Sequence, residues 1–322
     1  MTGPRVSVIV PVRNRRRLLA SLMDALAQQS FRDFEVVVVD DGSTDGSDVA
    51  AEEERRLPVR VLRADGQGAV AARAVGVAAA QGDVLAFTDS DCVPSPDWLK
   101  VGVAAIDKGA DVVMGRTTTA APRRLLERSL SAEDNGLYPT CNVFYRRAAF
   151  AHAGGFDPDV AHRLGFRPGA RAKGLGFGED TVLAWRVRRN GRAAYAPGAV
   201  VTHAVFPPDL RDHFSRTAQA GAFPALVREV PELRLVFLAG RVFLGSPSRV
   251  PLYAALAMCV ARSWASVVAM VVLWVLQHAW RVLRRDDPVK RKVLAFPIVL
   301  ATDALTAAAL LVGSVRARTL VL

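Results

Sequence analysis

The first third of the chain alternates short apolar runs with stretches of helical periodicity. Val6-Ser7-Val8-Ile9-Val10 is β-branched and free of charge, the pattern of a strand buried on both faces, with Pro11 expected to end it. Leu18, Leu19, Leu22, Met23 and Leu26 then fall on one helical face, which predicts an amphipathic helix to about Gln29. Phe34 to Val39 reads as a second buried strand, halted by the polar turn Asp40-Asp41-Gly42-Ser43-Thr44-Asp45-Gly46. Val59 to Leu62 is a third strand, Ala69 to Ala80 an Ala-rich helix, and Val84 to Thr88 a fourth strand that ends at Asp89. This alternation predicts an α/β fold, a Rossmann-like, mostly parallel sheet with helices on both faces. Ligands of such sheets bind beyond the carboxyl ends of the strands. Pro11, Asp40, Asp41 and Asp89 all sit at such ends, so one shared site is expected there.

The pattern changes further along. Gly154-Gly155-Phe156 precedes a loop rich in Gly, Arg and Pro from Arg163 to Gly178, and a helix is predicted from Glu179 to about Arg189. Short strands are expected near Ala193-Ala194-Tyr195 and at Val200-Val201. After about residue 233 the chain becomes strongly apolar. Ser263 to Trp280 has no Asp, Glu, Lys or Arg, which approaches the ~20 residues that cross a bilayer. Val293 to Val315 is similar but carries Pro297 and Asp303. The expected organisation is a catalytic domain over 1–232, with halves of about 1–115 and 116–232, followed by apolar helices over 233–322.

The basic linker Arg281, Arg284, Arg285, Lys290, Arg291 and Lys292 lies between the two apolar runs, against Asp286 and Asp287. Two full spans would carry it away from the cytosol, against the positive-inside rule. A helical hairpin dipping into the cytoplasmic leaflet keeps it inward. A partial span from Leu252 to Ala261 would also reconcile the charges, and a soluble helical extension is the plainer alternative. Leu233 to Leu244 reads as an amphipathic stretch suited to the interface. The N-terminus lacks the order of a signal peptide, because its apolar run comes before the basic cluster Arg13, Arg15, Arg16 and Arg17. The expected location is the cytoplasmic face of the membrane.

Composition narrows the partners. The chain has 322 residues and a net charge of +11, with a mean hydropathy of +0.20. Such a balance suits anionic partners. With no nucleic-acid module in view, nucleotide phosphates and a membrane surface are expected and nucleic acid is not. Cys92, Cys141 and Cys259 are too scattered for a disulfide framework or a zinc site.

Two carboxylates spaced as in Asp89-Ser90-Asp91, on a loop after a buried strand, can face one divalent cation. Mg²⁺ and Mn²⁺ accept one or two carboxylates plus substrate phosphates. A carboxylate of Asp40-Asp41 could accept a hydrogen bond from a nucleobase or ribose, though Asp and Ser also make turns for local reasons. Glu179-Asp180 opens a helix, where capping alone would favour acidic residues. A carboxylate there could instead serve as general base toward a hydroxyl. His203, after Val200-Val201, could be structural or a ligand.

Taken in order, these segments resemble family 2 glycosyltransferases of GT-A fold over roughly residues 5 to 205. Val6 to Pro11 with Arg13 and Asn14 is similar to the family's opening strand and nucleotide loop. Val38-Val39-Asp40-Asp41-Gly42-Ser43 resembles its second motif, in which Asp41 would contact the base. Gly68 through Arg73, Gly76 and Gly82-Asp83 resemble the third. Asp89-Ser90-Asp91 falls at the metal motif, with Asp91 as direct ligand and Asp89 orienting ribose or a metal-bound water. Asn142, Gly154, Gly155 and Phe156 resemble the acceptor side, with Glu179 and Trp185 beside them. Gly178-Glu179-Asp180 resembles the helix whose Asp, here Asp180, is the base of inverting members. His203 matches a position that approaches the metal or the diphosphate.

The resemblance implies Mg²⁺ or Mn²⁺, a nucleotide-diphosphate sugar donor, and a glycan or lipid-linked acceptor. Ala74 stands where many members have Asn, and Arg13 where an aromatic or small residue is common. The Gln-x-x-Arg-Trp motif of processive synthases is absent after residue 205, which favours transfer of a single sugar. The loop 163–178 is assigned to the acceptor. Two other readings are a sugar nucleotidyltransferase, disfavoured because no Lys-containing Gly-rich loop follows the first strand, and a non-catalytic membrane scaffold, disfavoured because Asp41, Asp89, Asp91 and Asp180 are all retained.

Overall fold

The computed structural model describes residues 3–166, 176–245 and 247–322. The chain packs as two compact units. One comprises 1–121, 129–163 and 167–205; the other comprises 122–128, 164–166 and 206–322. The expected boundary at 232/233 falls inside the second unit.

The first unit is built on an eight-stranded sheet: β1 (Val6–Val12), β2 (Phe34–Asp40), β3 (Val59–Arg63), β4 (Val84–Phe87), β5 (Cys92–Pro94), β6 (Val112–Thr119), β7 (Val143–Arg146) and β8 (Ala193–His203). The order across the sheet is β3-β2-β1-β4-β7-β6-β8-β5. The first four strands are parallel, with Val12 opposite Asp40 and Asp40 opposite Arg63. β7 then enters antiparallel to both β4 and β6. β8 is parallel to β6, and β5 pairs antiparallel with the end of β8. The α/β expectation holds, and the parallel half is the half that the alternation foretold.

Burial explains the strands. All seven positions of β1 and of β2 are buried, as a sheet covered on both faces requires. The helix Arg16–Ala27 turns Leu19, Leu22, Met23 and Leu26 into that core. The helix Ala69–Ala79 packs so closely that a Cβ on Gly76 would meet Ile9 Cγ2 at 2.7 Å. Pro11 does not end β1; it continues it and pairs with Val39. The two strands expected near Tyr195 and Val201 are one strand, irregular in its register with β6 between Gly115 and Arg116.

The second unit is helical. Its longer helices are Leu210–Ala218, Val250–Val260, Trp264–Leu283 and Val289–Ala317. Of the amphipathic stretch expected over 233–244, only Leu233–Val236 is helical, and Arg241 has a left-handed φ of 66°. Trp264–Leu283 and Val289–Ala317 are long and apolar enough to cross a membrane, and only 17% and 22% of their most apolar windows are buried. Val268 and Leu276 are among the side chains left exposed. Pro297 lies inside the second helix without ending it. Asp303, the charge that interrupts this apolar helix, is fully engaged. It meets Arg249 Nε at 2.9 Å and accepts from Trp274 Nε1 at 2.9 Å, with His278 Nε2 3.4 Å away. An ionic group in an apolar setting persists only with partners of this kind.

Candidate functional site

The carboxyl ends of the parallel strands assemble the site. Asp40 spends its carboxylate on its own turn, where both oxygens lie within 3.3 Å of the Ser43 N–H. In the structure this carboxylate closes the turn after β2. Asp41 differs. Only 3% exposed, it accepts from the Gly68 N–H at 2.9 Å and lies 3.8 Å from Arg13 Nη1. Its Oδ1 is buried with no hydrogen-bond partner among the described residues. A buried acceptor left unsatisfied is costly, and a donor on a ligand would satisfy it.

Asn14 holds the neighbouring loop. It adopts a left-handed φ of 51°, which Asn tolerates. Its Oδ1 accepts from the Thr44 N–H at 2.7 Å, and its own N–H donates to Ser43 Oγ at 2.9 Å. The loops after β1 and β2 are thereby stitched together. Arg13 and Asn14 are exposed, whereas Pro11 is buried in the sheet and presents no side chain to a ligand.

Arg73, 6% exposed, donates to Asp89 Oδ1 at 2.6 Å. Asp89 is thus oriented by a guanidinium. Two residues on, the carbonyl of Asp91 accepts from the Ala204 N–H, which ties the loop to the end of β8. This brings Asp91 Oδ1 within 3.7 Å of His203 Nε2. On the other side of the ring, His203 Nδ1 is 2.8 Å from the Ala204 carbonyl. A carbonyl only accepts, so Nδ1 carries a proton, and in the neutral ring Nε2 turns its lone pair toward Asp91. That is the tautomer a metal-binding histidine needs.

Asp91, Cys92 and His203 place ligand atoms within 4.8 Å of one another. The Cys92 thiol is held well above its usual pKa by its hydrogen bond with Cys141 and by burial. Without a metal it is therefore a neutral thiol, and sulfur is in any case a softer ligand than Mn²⁺ or Mg²⁺ prefers. A carboxylate and an imidazole remain, a donor set compatible with Mn²⁺ or Mg²⁺. The spacing of 3.7 Å can be spanned by two ligands each about 2.1 Å from one ion. Ser129, whose Oγ lies 3.4 Å from His203 Nδ1, was not foreseen. It comes from a segment outside the named strands, tied to the sheet by the bridge between Thr117 and Ala132 and by the Ser129 hydroxyl, which donates to the His203 carbonyl at 3.3 Å, and no motif marks it.

Glu179 and Asp180 open the helix Glu179–Asn190 after Gly178, whose φ of 79° suits glycine. Glu179 is 8% exposed and its Oε2 has no hydrogen-bond partner among the described residues. Burial raises its pKa. Asp180 is half-buried, and one of its oxygens accepts from the Thr181 N–H at 2.7 Å. Burial, and then the charge of Glu179, push its pKa up to about 7. A carboxylate poised there can accept a proton near neutral pH.

The expected acceptor side is largely scaffold. Asn142 is fully buried, accepts from Trp98 Nε1 at 2.9 Å and donates to the carbonyls of Arg116 and Ala199. Phe156 packs edge-on against Phe87 and Phe150. Trp185 is 5% exposed and donates to the Gly136 carbonyl at 2.8 Å. Among the described residues, these three side chains are buried and engaged with the protein itself. Gly154 and Gly155, with φ of 86° and 65°, shape the turn that leads into Phe156. Most of the loop assigned to the acceptor, residues 167–175, lies outside the described residues.

Residues 7–155 match the family described as glycosyl transferase family 2. The chain is 32% identical over 173 residues to glycosyltransferase AglE of Haloferax volcanii, covering 48% of this chain and 57% of that one. It is 30% identical over 258 residues to the pre-mycofactocin glycosyltransferase of Mycobacterium tuberculosis, covering 73% and 50%. The chain thus spans about half the length of these curated relatives. Among solved structures it resembles the mannosyltransferase PcManGT of Pyrobaculum calidifontis in complex with GDP-Man and Mn²⁺. The TM-score is 0.55 at 20% identity, over 98% of this chain and 87% of that one. That likeness bears on the fold.

Proposed function

Residues 7–155 are a glycosyl transferase family 2 domain, and from that premise we propose that the chain is an inverting glycosyltransferase. It moves one sugar from a nucleotide-diphosphate donor, of the uridine or guanosine type, to a hydroxyl of a lipid-linked or cell-envelope glycan. The observation that carries this reading is the convergence of Asp41, the Arg73–Asp89 pair and the Asp91–His203 pair on one sheet edge. Nucleotide sugar and Mn²⁺ in the PcManGT complex support it.

Asp41 Oδ1 takes a hydrogen bond from the nucleobase. Arg73 holds Asp89 toward the ribose or the metal's water. Asp91 and His203 Nε2 would hold Mg²⁺ or Mn²⁺, which when bound offsets charge on the leaving diphosphate. Asp180 accepts the proton of the acceptor hydroxyl. As the acceptor oxygen bonds to the anomeric carbon, the bond from that carbon to the diphosphate oxygen breaks. The nucleoside diphosphate departs with the electron pair, and the anomeric configuration inverts. Gly154 and Gly155 shape the acceptor side, and Glu179 adjusts the basicity of Asp180.

The apolar helices lie in the cytoplasmic leaflet with the basic linker inward, which keeps the active site on the side where nucleotide sugars are made. A panel of nucleotide sugars tests the activity, with membrane extract as acceptor and Mn²⁺ present or chelated. Metal-dependent release of nucleoside diphosphate is expected. Release of pyrophosphate in a reaction of nucleotide triphosphate with sugar phosphate would instead mark a nucleotidyltransferase.

A further inference from the structure

The second unit contains a cavity of about 370 Å³ that the transfer reaction does not use. That size lies within the ~300–1,000 Å³ of small-ligand sites. Its walls are apolar and include Leu125, Leu294 and Ile298; its cations are Arg124, Lys290 and Arg291.

The charges around it are unevenly matched. Asp287 is consumed in holding the segment 122–128, because it accepts from the Leu125 N–H at 3.0 Å and from Arg285 Nε at 3.0 Å. Glu127 accepts from Arg291 Nη1 at 3.1 Å and from the Arg124 N–H at 2.9 Å. Asp286, the linker's other carboxylate, does not line the cavity. Among the described residues, Arg124 and Lys290 have no ion-pair partner, and both are exposed.

Lys290 and Arg291 also stand in the first turn of the helix Val289–Ala317, which has no side-chain cap. Helix N-termini carry partial positive charge and favour anions, so basic residues there add to an unfavourable field. A phosphate between Arg124 and Lys290 would relieve it. The wall behind them belongs to the same helix that leaves Val293 and Leu294 exposed and is long enough to cross a bilayer.

We propose that this cavity is a binding site for an anionic phospholipid, with the phosphate on Arg124 and Lys290 and the start of an acyl chain against Leu125, Leu294 and Ile298. A free phosphate would use the cations but not the wall. A zwitterionic lipid would use the wall with less gain from the cations.

Native mass spectrometry of the full chain in mild detergent tests the site, with phosphatidylglycerol, phosphatidylcholine or inorganic phosphate as the probe. Phosphatidylglycerol is expected to be retained at roughly tenfold lower concentration than phosphatidylcholine. The double variant Arg124→Ala/Lys290→Ala should weaken its retention by about tenfold or more. Ile298→Trp, which fills the cavity and leaves the charges in place, should also release it, while millimolar phosphate should not. Circular dichroism and nucleoside diphosphate release report separately on fold and transfer. Should the Trp variant misfold, Lys290→Gln carries the test as an exposed conservative change. Equal retention of the two lipids, wild-type retention in folded variants, or displacement by phosphate would each overturn the proposal.

Discussion

Asp180 meets conditions that a surface carboxylate does not: burial, and a second carboxylate next to it in the chain. With a pKa raised to about 7, it is largely protonated at pH 5 and largely ionised at pH 8. The proposed general base works ionised, so the transfer rate should climb across this interval and level off above it. The same shift has a consequence for folding. A carboxyl pKa raised from 3.8 in the unfolded chain favours the protonated native form. Stability is therefore fully present below about pH 4 and is lost as pH rises through about 7. Thermal scans should show a larger fall between pH 5 and pH 8 for the wild type than for Asp180→Asn. Asn142 gives the opposite kind of prediction. Asn142→Ala would strand Trp98 Nε1 and two carbonyls in the core, so destabilisation of about 1–3 kcal/mol is expected in denaturant unfolding. An Asn142→Ala protein of unchanged stability and weakened acceptor binding would restore the acceptor role. The placement of Asp41, Asp89 and Asp91 beyond strand ends and of Asp180 at the start of a helix was legible, because acidic residues there stand out from their surroundings. The burial of Asn142, Phe156 and Trp185 was not legible, because a motif position does not reveal which way a side chain points.

At the scale of elements, the β-branched runs of β1 and β2 were legible because burial on both faces demands an uninterrupted apolar pattern. β7 was not. It has four residues and enters the sheet antiparallel between distant strands, so its pairing depends on partners that no local pattern names. The break expected between Tyr195 and Val201 failed for a related reason: Pro197 and Gly198 are absorbed by the irregularity in β8 rather than ending it. In the helical unit, Asp303 interrupted an apolar run without explanation until Arg249 and Trp274 were seen to meet it. Asp303→Leu alone leaves the Arg249 guanidinium without its carboxylate and should cost about 3–5 kcal/mol. The double change Arg249→Met/Asp303→Leu should recover most of that loss. Thermal unfolding in detergent compares the two, and equal instability of the single and double variants would contradict the pairing.

For the whole molecule, the uneven distribution of apolar residues anticipated a helical C-terminal part beside an α/β unit. It did not anticipate that residues 122–128 and 164–166 would belong to the helical unit, since short segments carry no compositional signal. With most of the apolar windows of Trp264–Leu283 and Val289–Ala317 exposed, the chain should remain with membranes after washes in high salt and in alkaline carbonate. Full release by salt alone would contradict insertion. Sugar transfer at this site with Asp180 as base is the proposal on which the other assigned roles depend. It is tested most directly by single-turnover transfer from a labelled nucleotide sugar, comparing wild type with Asp180→Asn and measuring donor affinity in the same samples. Donor affinity close to wild type and transfer slowed by about 100-fold or more are expected. Near-normal transfer at unchanged donor affinity would contradict the proposal.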